Sequence, residues 1–309
     1  MRGGQEIKMQ HSHVFLRFPE GRAKALSFTF DDGTVEDRWL ADRFGELGLR
    51  GTFNLNSGLF PAPGTDLSKL NIDIYPVRDI QHRMTAQEAA EALDRPYVEI
   101  ASHGSLHADP TLLDTPSLLW ELMSDRQTLE KLFSRPVTGY AYPQGAFNDR
   151  VTEAAQSCGF EYARTAFMSH SFGLPDDLMR LAPTCSYGEP APGNPSVTEL
   201  AERFLSFVPT TGMYYGTTMS QFFNIFGHTY EMNVCEGLKD RLDTLLGTLS
   251  GRDDVWYATN LEVVRYVKAF NSLVWSADRS SVYNPGAQRI WFYCADGTAS
   301  VAPGETISL

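Results

Sequence analysis

The chain predicts an α/β fold, a parallel (β/α)7 barrel with a short C-terminal β appendage. Three observations carry that expectation. Short β-rich runs alternate with amphipathic helices seven times between about residues 25 and 270, which requires parallel crossovers and a closed or nearly closed sheet. Nothing in that stretch reads as a linker, an internal repeat or a low-complexity tract. From Ser272 the pattern changes to the β runs SLVWS, RIWFYC and ETISL, separated by NPG, DG and PG turns. The expected division is an N-terminal arm over 1–24, a barrel over 25–271 and the appendage over 272–309.

The elements follow in order. Leu26–Phe30 alternates as a strand, and the helix from Glu36 to about Leu47 sets Leu40, Phe44 and Leu47 on one face. Gly51–Leu55 is the next strand, and Thr85 with Glu88 forms a capping box opening a helix through Leu93. Tyr97–Ser102 is the third strand, followed by a helix with Thr115 as cap and Pro116 at its first position. Val137–Tyr142 is the fourth, then a helix from Asp149 that ends before Gly159, and Phe160–Arg164 is the fifth. Ser196 and Glu199 cap the helix LAERFLSF, and Gln221–Gly227 is strand-like. Leu238, Leu242, Leu245, Leu246 and Leu249 make an amphipathic helix. Val255–Ala258 is the last strand, before a helix capped by Thr259 and Glu262.

With 309 residues, 42% hydrophobic and 21% charged, the chain can bury a substantial core. A formal charge of −12 makes nucleic acid and anionic membrane surfaces poor default partners. No apolar run is long enough to span a bilayer, and the start MRGGQEIKMQHSHVF lacks the apolar segment of a signal peptide, so a cytoplasmic setting is expected. The four cysteines, widely spaced and without a CxxC, read as reduced buried thiols.

In parallel barrels reactive groups gather where strands end at their C-terminal sides. The first strand ends in TFDDG, delivering Asp31 and Asp32 side by side. The third delivers HGSLH, with His103 and His107 four apart. The fourth delivers Tyr142 within YAYPQG, the strand ending at Gly227 delivers His228, and the last delivers Thr259 and Asn260. An isolated Asp-Asp-Gly or His-x-x-x-His is most often structural. Their joint placement at strand ends changes the balance. Two imidazoles and a carboxylate form a ligand set for zinc or another divalent first-row metal, cobalt, nickel and manganese included. A cation there would neutralise one aspartate and let the other act.

TFDDG at 29–33 followed by HGSLH at 103–107 resembles the polysaccharide deacetylases of carbohydrate esterase family 4, the NodB-homology fold, over about residues 25–270. The resemblance implies a deformed barrel and one divalent metal used to remove acetyl groups from N- or O-acetylated sugars. It implies Asp31 as general base, Asp32, His103 and His107 as metal ligands, and His228 as general acid. Independently of the resemblance, the chemistry of amide hydrolysis calls for an oxyanion donor, expected at a backbone N–H near Tyr142 beside the metal. Two departures stand out. The arginine that pairs with the catalytic aspartate in the family's third motif is replaced by Ala141, leaving Arg164 or Arg180 as possible substitutes. No Asp-x-x-Asp-Trp motif is present, PDDLMR at 175–180 being the nearest segment.

Tyr142, Tyr230, Glu231 and Asn260 are candidates for substrate contacts. His11 and His13 read as part of an N-terminal strand or arm, His82 and His170 as exposed loop residues, and Trp39, Trp120, Trp275 and Trp291 as core. The partner expected is an acetylated carbohydrate. Two rivals stay open: a hydrolase of C–N bonds in small non-sugar amides on the same scaffold, and a non-catalytic carbohydrate-binding protein.

Overall fold

The computed structural model describes residues 13–62, 82–210, 218–294 and 297–309. His11, and Asp296 of the DG turn, lie outside the described residues. The chain runs β1 (Phe15–Arg17), β2 (Lys24–Asp31), α1 (Asp37–Leu47), β3 (Gly51–Leu55), α2 (Ala86–Leu93), β4 (Val98–Ser102), α3 (Thr115–Phe133) and β5 (Gly139–Ala141). It continues with α4 (Asp149–Ser157), β6 (Tyr162–Arg164), β7 (Cys185–Ser186), α5 (Val197–Ser206), β8 (Gln221–Gly227), α6 (Leu238–Leu249), β9 (Val255–Tyr257) and α7 (Asn260–Asn271). The strands β10 (Val274–Trp275), β11 (Ser281–Tyr283), β12 (Ile290–Cys294), β13 (Gly297–Val301) and β14 (Thr306–Ser308) complete it.

The fold is a deformed parallel barrel. Its strands lie in the order β6-β5-β4-β3-β2-β8-β7, all parallel, with β9 paired to β2. Two features make the deformation. No ladder among the described residues joins the edge strands β6 and β7; one parallel bridge ties Arg164 of β6 to Leu181, four residues before β7. In addition, β9 pairs with β2 only at Lys24–Leu26, below the point at Phe28 where β3 begins to pair. The two-residue β7 is too short to show alternation in sequence.

Period-two alternation sorts β2 into two faces. Leu26, Phe28 and Phe30 pack outward on helices, with the Phe28 and Phe44 rings 5.1 Å apart. Ser27, Thr29 and Asp31 meet polar side chains of the barrel interior. Asn54 of β3 donates to Thr29 Oγ1 at 2.9 Å and to Asp31 Oδ1 at 2.8 Å. Lower down, the buried Glu99 of β4 accepts from Thr52, from the Tyr162 hydroxyl and from the Leu261 backbone N–H at the start of α7.

All three expected capping boxes form, at Thr85/Glu88, Ser196/Glu199 and Thr259/Glu262. Helix α3 differs: Asp114, not Thr115, is its cap, accepting from the Ser117 N–H at 2.9 Å, because its carboxylate is the stronger acceptor. Trp120 is 52% exposed on the outer face of α3 rather than core, and Cys235 is exposed whereas Cys185 and Cys294 are buried. His170 is half-buried, with a left-handed backbone. Residues 15–17 pair with β12, so chain from before and after the barrel shares one sheet, β1-β12-β13, beside a second, β10-β11-β14. Val263, Val264 and Val267 of α7 pack against Ile290 and Phe292 of β12 to attach these sheets. No helix among the described residues is long and apolar enough to cross a membrane.

One close approach fixes the end of β8. A Cβ on Gly227 would lie 2.1 Å from the Tyr187 ring, whose hydroxyl donates to the His228 carbonyl at 2.7 Å. Gly227→Ala should therefore cost about 1–3 kcal/mol by overpacking. Urea unfolding measures it, and an unchanged midpoint would show that Tyr187 is free to move.

Candidate active site

Five strand ends converge on one cavity of about 360 Å³. Asp31 is the last residue of β2 and Asp32 the first beyond it, His103 follows β4, Tyr142 follows β5, Arg164 ends β6 and His228 follows β8. Asp32 and His107 hold positive φ, 83° and 57°, a left-handed backbone that is costly for side chains other than glycine and concentrates at functional sites.

Each aspartate has its own buried arginine. Arg164 Nη2 donates to Asp31 Oδ1, and the Arg164 guanidinium lies 4.5 Å from the Phe226 ring centroid. Arg83 Nη2 donates to Asp32 Oδ1 at 3.1 Å, while its Nη1 donates to the Asp32 carbonyl and, at 2.9 Å, to Asn56 Oδ1. Burial pushes both carboxyl pKa values up. Arg164, then His103 and His228, outweigh it at Asp31, and Arg83 leads at Asp32, so both are held below the usual carboxylate range. The arginine missing at Ala141 is thus supplied from the neighbouring strand by Arg164. Arg180 instead pairs with Asp149 and Asp177.

The histidines divide into two kinds. Burial lowers the pKa of His103, and burial with the adjacent His103 lowers His107 to about 4, so both are neutral at pH 7. His103 Nδ1 lies 2.9 Å from the Ala141 carbonyl, which fixes the proton on Nδ1 and leaves Nε2 as a lone-pair donor. At His228 burial also works against charge, yet the Glu231 hydrogen bond, Asp32 and Asp31 overcome it and raise the pKa to about 9. His228 Nδ1 is 3.0 Å from Glu231 Oε1, and its Nε2 is 3.9 Å from Asp31 Oδ2. Its loop is tied to the loop after β2: the Thr229 hydroxyl donates to buried Asp37 at 2.6 Å and meets the Thr34 hydroxyl at 2.7 Å.

Asp32, His103 and His107 present ligand atoms all within 4.8 Å of one another, the one such cluster among the described residues. An ionised carboxylate and two neutral imidazoles, one with its tautomer set from behind, fit a divalent cation. Asp31 Oδ2 sits 3.5 Å from His103 Nε2, beside that cluster rather than in it.

The other candidates separate. Tyr230 lines the cavity with its ring 5.2 Å from His228. Glu231 is engaged with His228. Tyr142 lines the cavity with its ring, but its hydroxyl donates to the Met179 carbonyl and its backbone N–H to the Arg164 carbonyl, both at about 3 Å. Asn260 is not brought to the cavity. Because β9 ends at the level of Leu26, α7 starts inside the barrel below the site, where Asn260 Oδ1 accepts from Ser27 at 2.8 Å. Arg83 gave no signal in sequence: outside any periodic element, a lone arginine has nothing to mark it as buried.

Removing Arg164 leaves a buried carboxylate unpaired. Arg164→Met should cost about 3–5 kcal/mol at pH 7, and adding Asp31→Asn should recover much of that. Asp31 has a depressed folded pKa, so this stabilisation exists above the ordinary carboxylate pKa and disappears as pH falls through the folded value. The single variant should consequently lose stability on acidification less steeply. A loss under about 1 kcal/mol in urea unfolding would assign the pair the weight of a surface contact.

Residues 19–163, which include Asp31, Asp32, His103 and His107, match the family model described as polysaccharide deacetylase. No curated protein matches the chain. Among solved structures, a protein of Mycobacterium smegmatis assigned to the polysaccharide deacetylases is 17% identical, with a TM-score of 0.57 over 85% of this chain and 96% of that one. A family 4 carbohydrate esterase from Streptomyces lividans, solved with acetate, is 14% identical, with a TM-score of 0.46 over 76% of this chain and 92% of that one. BA3943 of Bacillus anthracis, a pseudoenzyme of the same esterase family, is 14% identical, with a TM-score of 0.46 over 81% and 68% of the respective chains. The first shares the fold across nearly its whole length, and residues 19–163 of this chain are similar to the polysaccharide deacetylase family.

Proposed function

We propose that this protein is a metal-dependent hydrolase that removes acetyl groups from an acetylated carbohydrate, an N-acetyl sugar first and an O-acetyl sugar second. The observation that carries this reading is the Asp32–His103–His107 cluster with Asp31 and His228 beside it in one cavity. A divalent ion on those three residues, with zinc the best match and cobalt, nickel or manganese able to replace it, would supply Lewis acidity and lower the pKa of a water toward about 7. Asp31, ionised and aimed by Arg164 and Asn54, takes the proton of the attacking water. An amide nitrogen leaves only as an amine, and His228, protonated at neutral pH, gives it the proton. Among residues 142–146, Tyr142, Gly145 and Ala146 have their N–H groups committed to carbonyls and Pro143 has none. Gln144, which lines the cavity, is left to donate to the developing oxyanion. On this reading 25–271 form the catalytic barrel, between the arm 1–24 and the appendage 272–309.

The small-amide rival has one observation in its favour. Beyond the reacting groups, Ala166, Met168, Phe226 and Tyr230 give the cavity largely apolar walls. Acetate release from a panel of N- and O-acetylated sugars, set against non-sugar acetamides, separates the two readings. A non-catalytic sugar-binding protein would have no use for all five of Asp31, Asp32, His103, His107 and His228.

Purified protein should hold about one divalent ion per chain and release acetate. Asp32→Ala and His103→Ala should lose both properties, whereas Asp31→Asn should keep the ion and lose acetate release. Equal metal loss in all three would reverse the roles of the two aspartates.

Glu231 is assigned to raising the pKa of His228. The acid must be protonated, so activity falls as pH rises through that pKa. Glu231→Gln weakens the bond that raises it, and the basic limb of the activity profile should move to lower pH. A basic limb that stays in place would remove His228 as the titrating acid.

A further inference from the structure

His103 and His107 are four residues apart, a spacing that an α-helix would bring onto one face at once. Here they sit in a loop with no helical pattern, broken by left-handed backbone at Gly104 (φ 73°) and His107 (φ 57°). No helix therefore sets the distance between the two imidazoles. The His103 end is tied to β3 through the Leu55 carbonyl and to Asn56, and the neighbouring helix α3 reaches both ends. Glu121 and Asp125 stand one turn apart on its inner face, 6% and 0% exposed. Asp125 Oδ2 accepts from the His103 backbone N–H at 3.2 Å and from the Ser102 hydroxyl at 2.5 Å, while its Oδ1 accepts from the Ser57 N–H at 2.6 Å. Glu121 Oε2 accepts from the Leu106 N–H at 2.9 Å, one residue before His107, and the Glu121 carbonyl accepts from Ser105 N–H at 3.3 Å.

We propose that Glu121 and Asp125 are positioning residues for the metal site, holding the two ends of the HGSLH loop so that the one-turn spacing of α3 is imposed on His103 and His107. Neither touches the cation or the substrate, and the inference rests on the metal site proposed above. The Leu106 N–H has the Glu121 carboxylate as its acceptor, while the His103 N–H, which also donates to the Leu55 carbonyl at 2.9 Å, gains Asp125 as a second acceptor. At Asp125, where both oxygens accept, substituting one by NH2 puts a donor against a donor; at Glu121 the same change removes the charge from the bond to the Leu106 N–H.

The test compares zinc affinity, by chelator competition, and the visible spectrum of the cobalt-substituted protein in the wild type, Asp125→Asn, Glu121→Gln and Glu99→Gln. Glu99 is a similarly buried carboxylate on the barrel floor and controls for general destabilisation. Asp125→Asn should raise the zinc Kd about 10–100-fold and alter the cobalt spectrum. Glu121→Gln should shift both in the same direction. Glu99→Gln should lower the melting temperature yet keep the Kd within about twofold. If Asp125→Asn fails to fold, Glu121→Gln decides alone. Wild-type Kd and spectrum in the α3 variants, with melting reduced as in Glu99→Gln, would make these carboxylates structural and overturn the proposal. A wild-type protein that binds no zinc would overturn the metal site itself, and this inference with it.

Discussion

Two adjacent carboxylates at the buried end of a central strand are the constraint around which this structure is arranged. Asp31 and Asp32 are 2% and 5% exposed, so neither charge can be left to solvent. Two carboxylates sharing one site would push one pKa strongly upward and leave a neutral acid. The fold avoids that by turning the chain between them. Asp31 stays on the strand and points into the barrel, where β3 and β6 supply Asn54 and Arg164. Asp32 takes a left-handed backbone and faces Arg83, which also caps its carbonyl. Each anion thus keeps its charge, and neither arginine substitutes for the other.

The same requirement explains why the barrel interior is polar. An ordinary small barrel fills its centre with branched apolar side chains. Here Ser27, Thr29, Thr52, Asn54, Glu99 and Tyr162 form a hydrogen-bonded column beneath Asp31, and the N-terminus of α7 enters from below to supply further donors. Each of these buried hydrogen bonds fixes the direction of a side chain, which holds geometry more sharply than apolar packing would. That entry by α7 is possible because β9 is short and stops at Leu26, which is also the deformation that opens the barrel.

Much of this was legible in the sequence, for identifiable reasons. Helix boundaries were written in side-chain chemistry, and the three capping boxes read correctly because Ser or Thr with Glu three residues on leaves few alternatives. The convergence of Asp31, Asp32, His103, His107 and His228 followed from their place at strand ends, since a parallel barrel delivers every strand end to one face. Asn260 was misplaced by the same rule, because nothing in Val255–Ala258 reveals how far down β2 that strand pairs. Arg83, Glu121 and Asp125 were invisible for a different reason. A charge on an amphipathic helix or in a loop reads as a solvated face, and only the tertiary contact shows it turned inward.

Within one cavity, then, the protein holds histidines in opposite states without any difference in residue type. His103 backs onto a main-chain carbonyl, and His107 lies against it with ring centroids 4.8 Å apart, so a proton on either would be buried beside the other. His228 faces two aspartates and has Glu231 behind it, so losing its proton would strand an excess of negative charge. Environments that push like groups apart in pKa are how one site obtains both lone-pair donors and a proton donor at the same pH. Burial lowers His103 and His107, and at His228 the Glu231 hydrogen bond with the two aspartates reverses the effect of burial. The difference in charge state thus lies in the surroundings of the rings rather than in the imidazoles themselves.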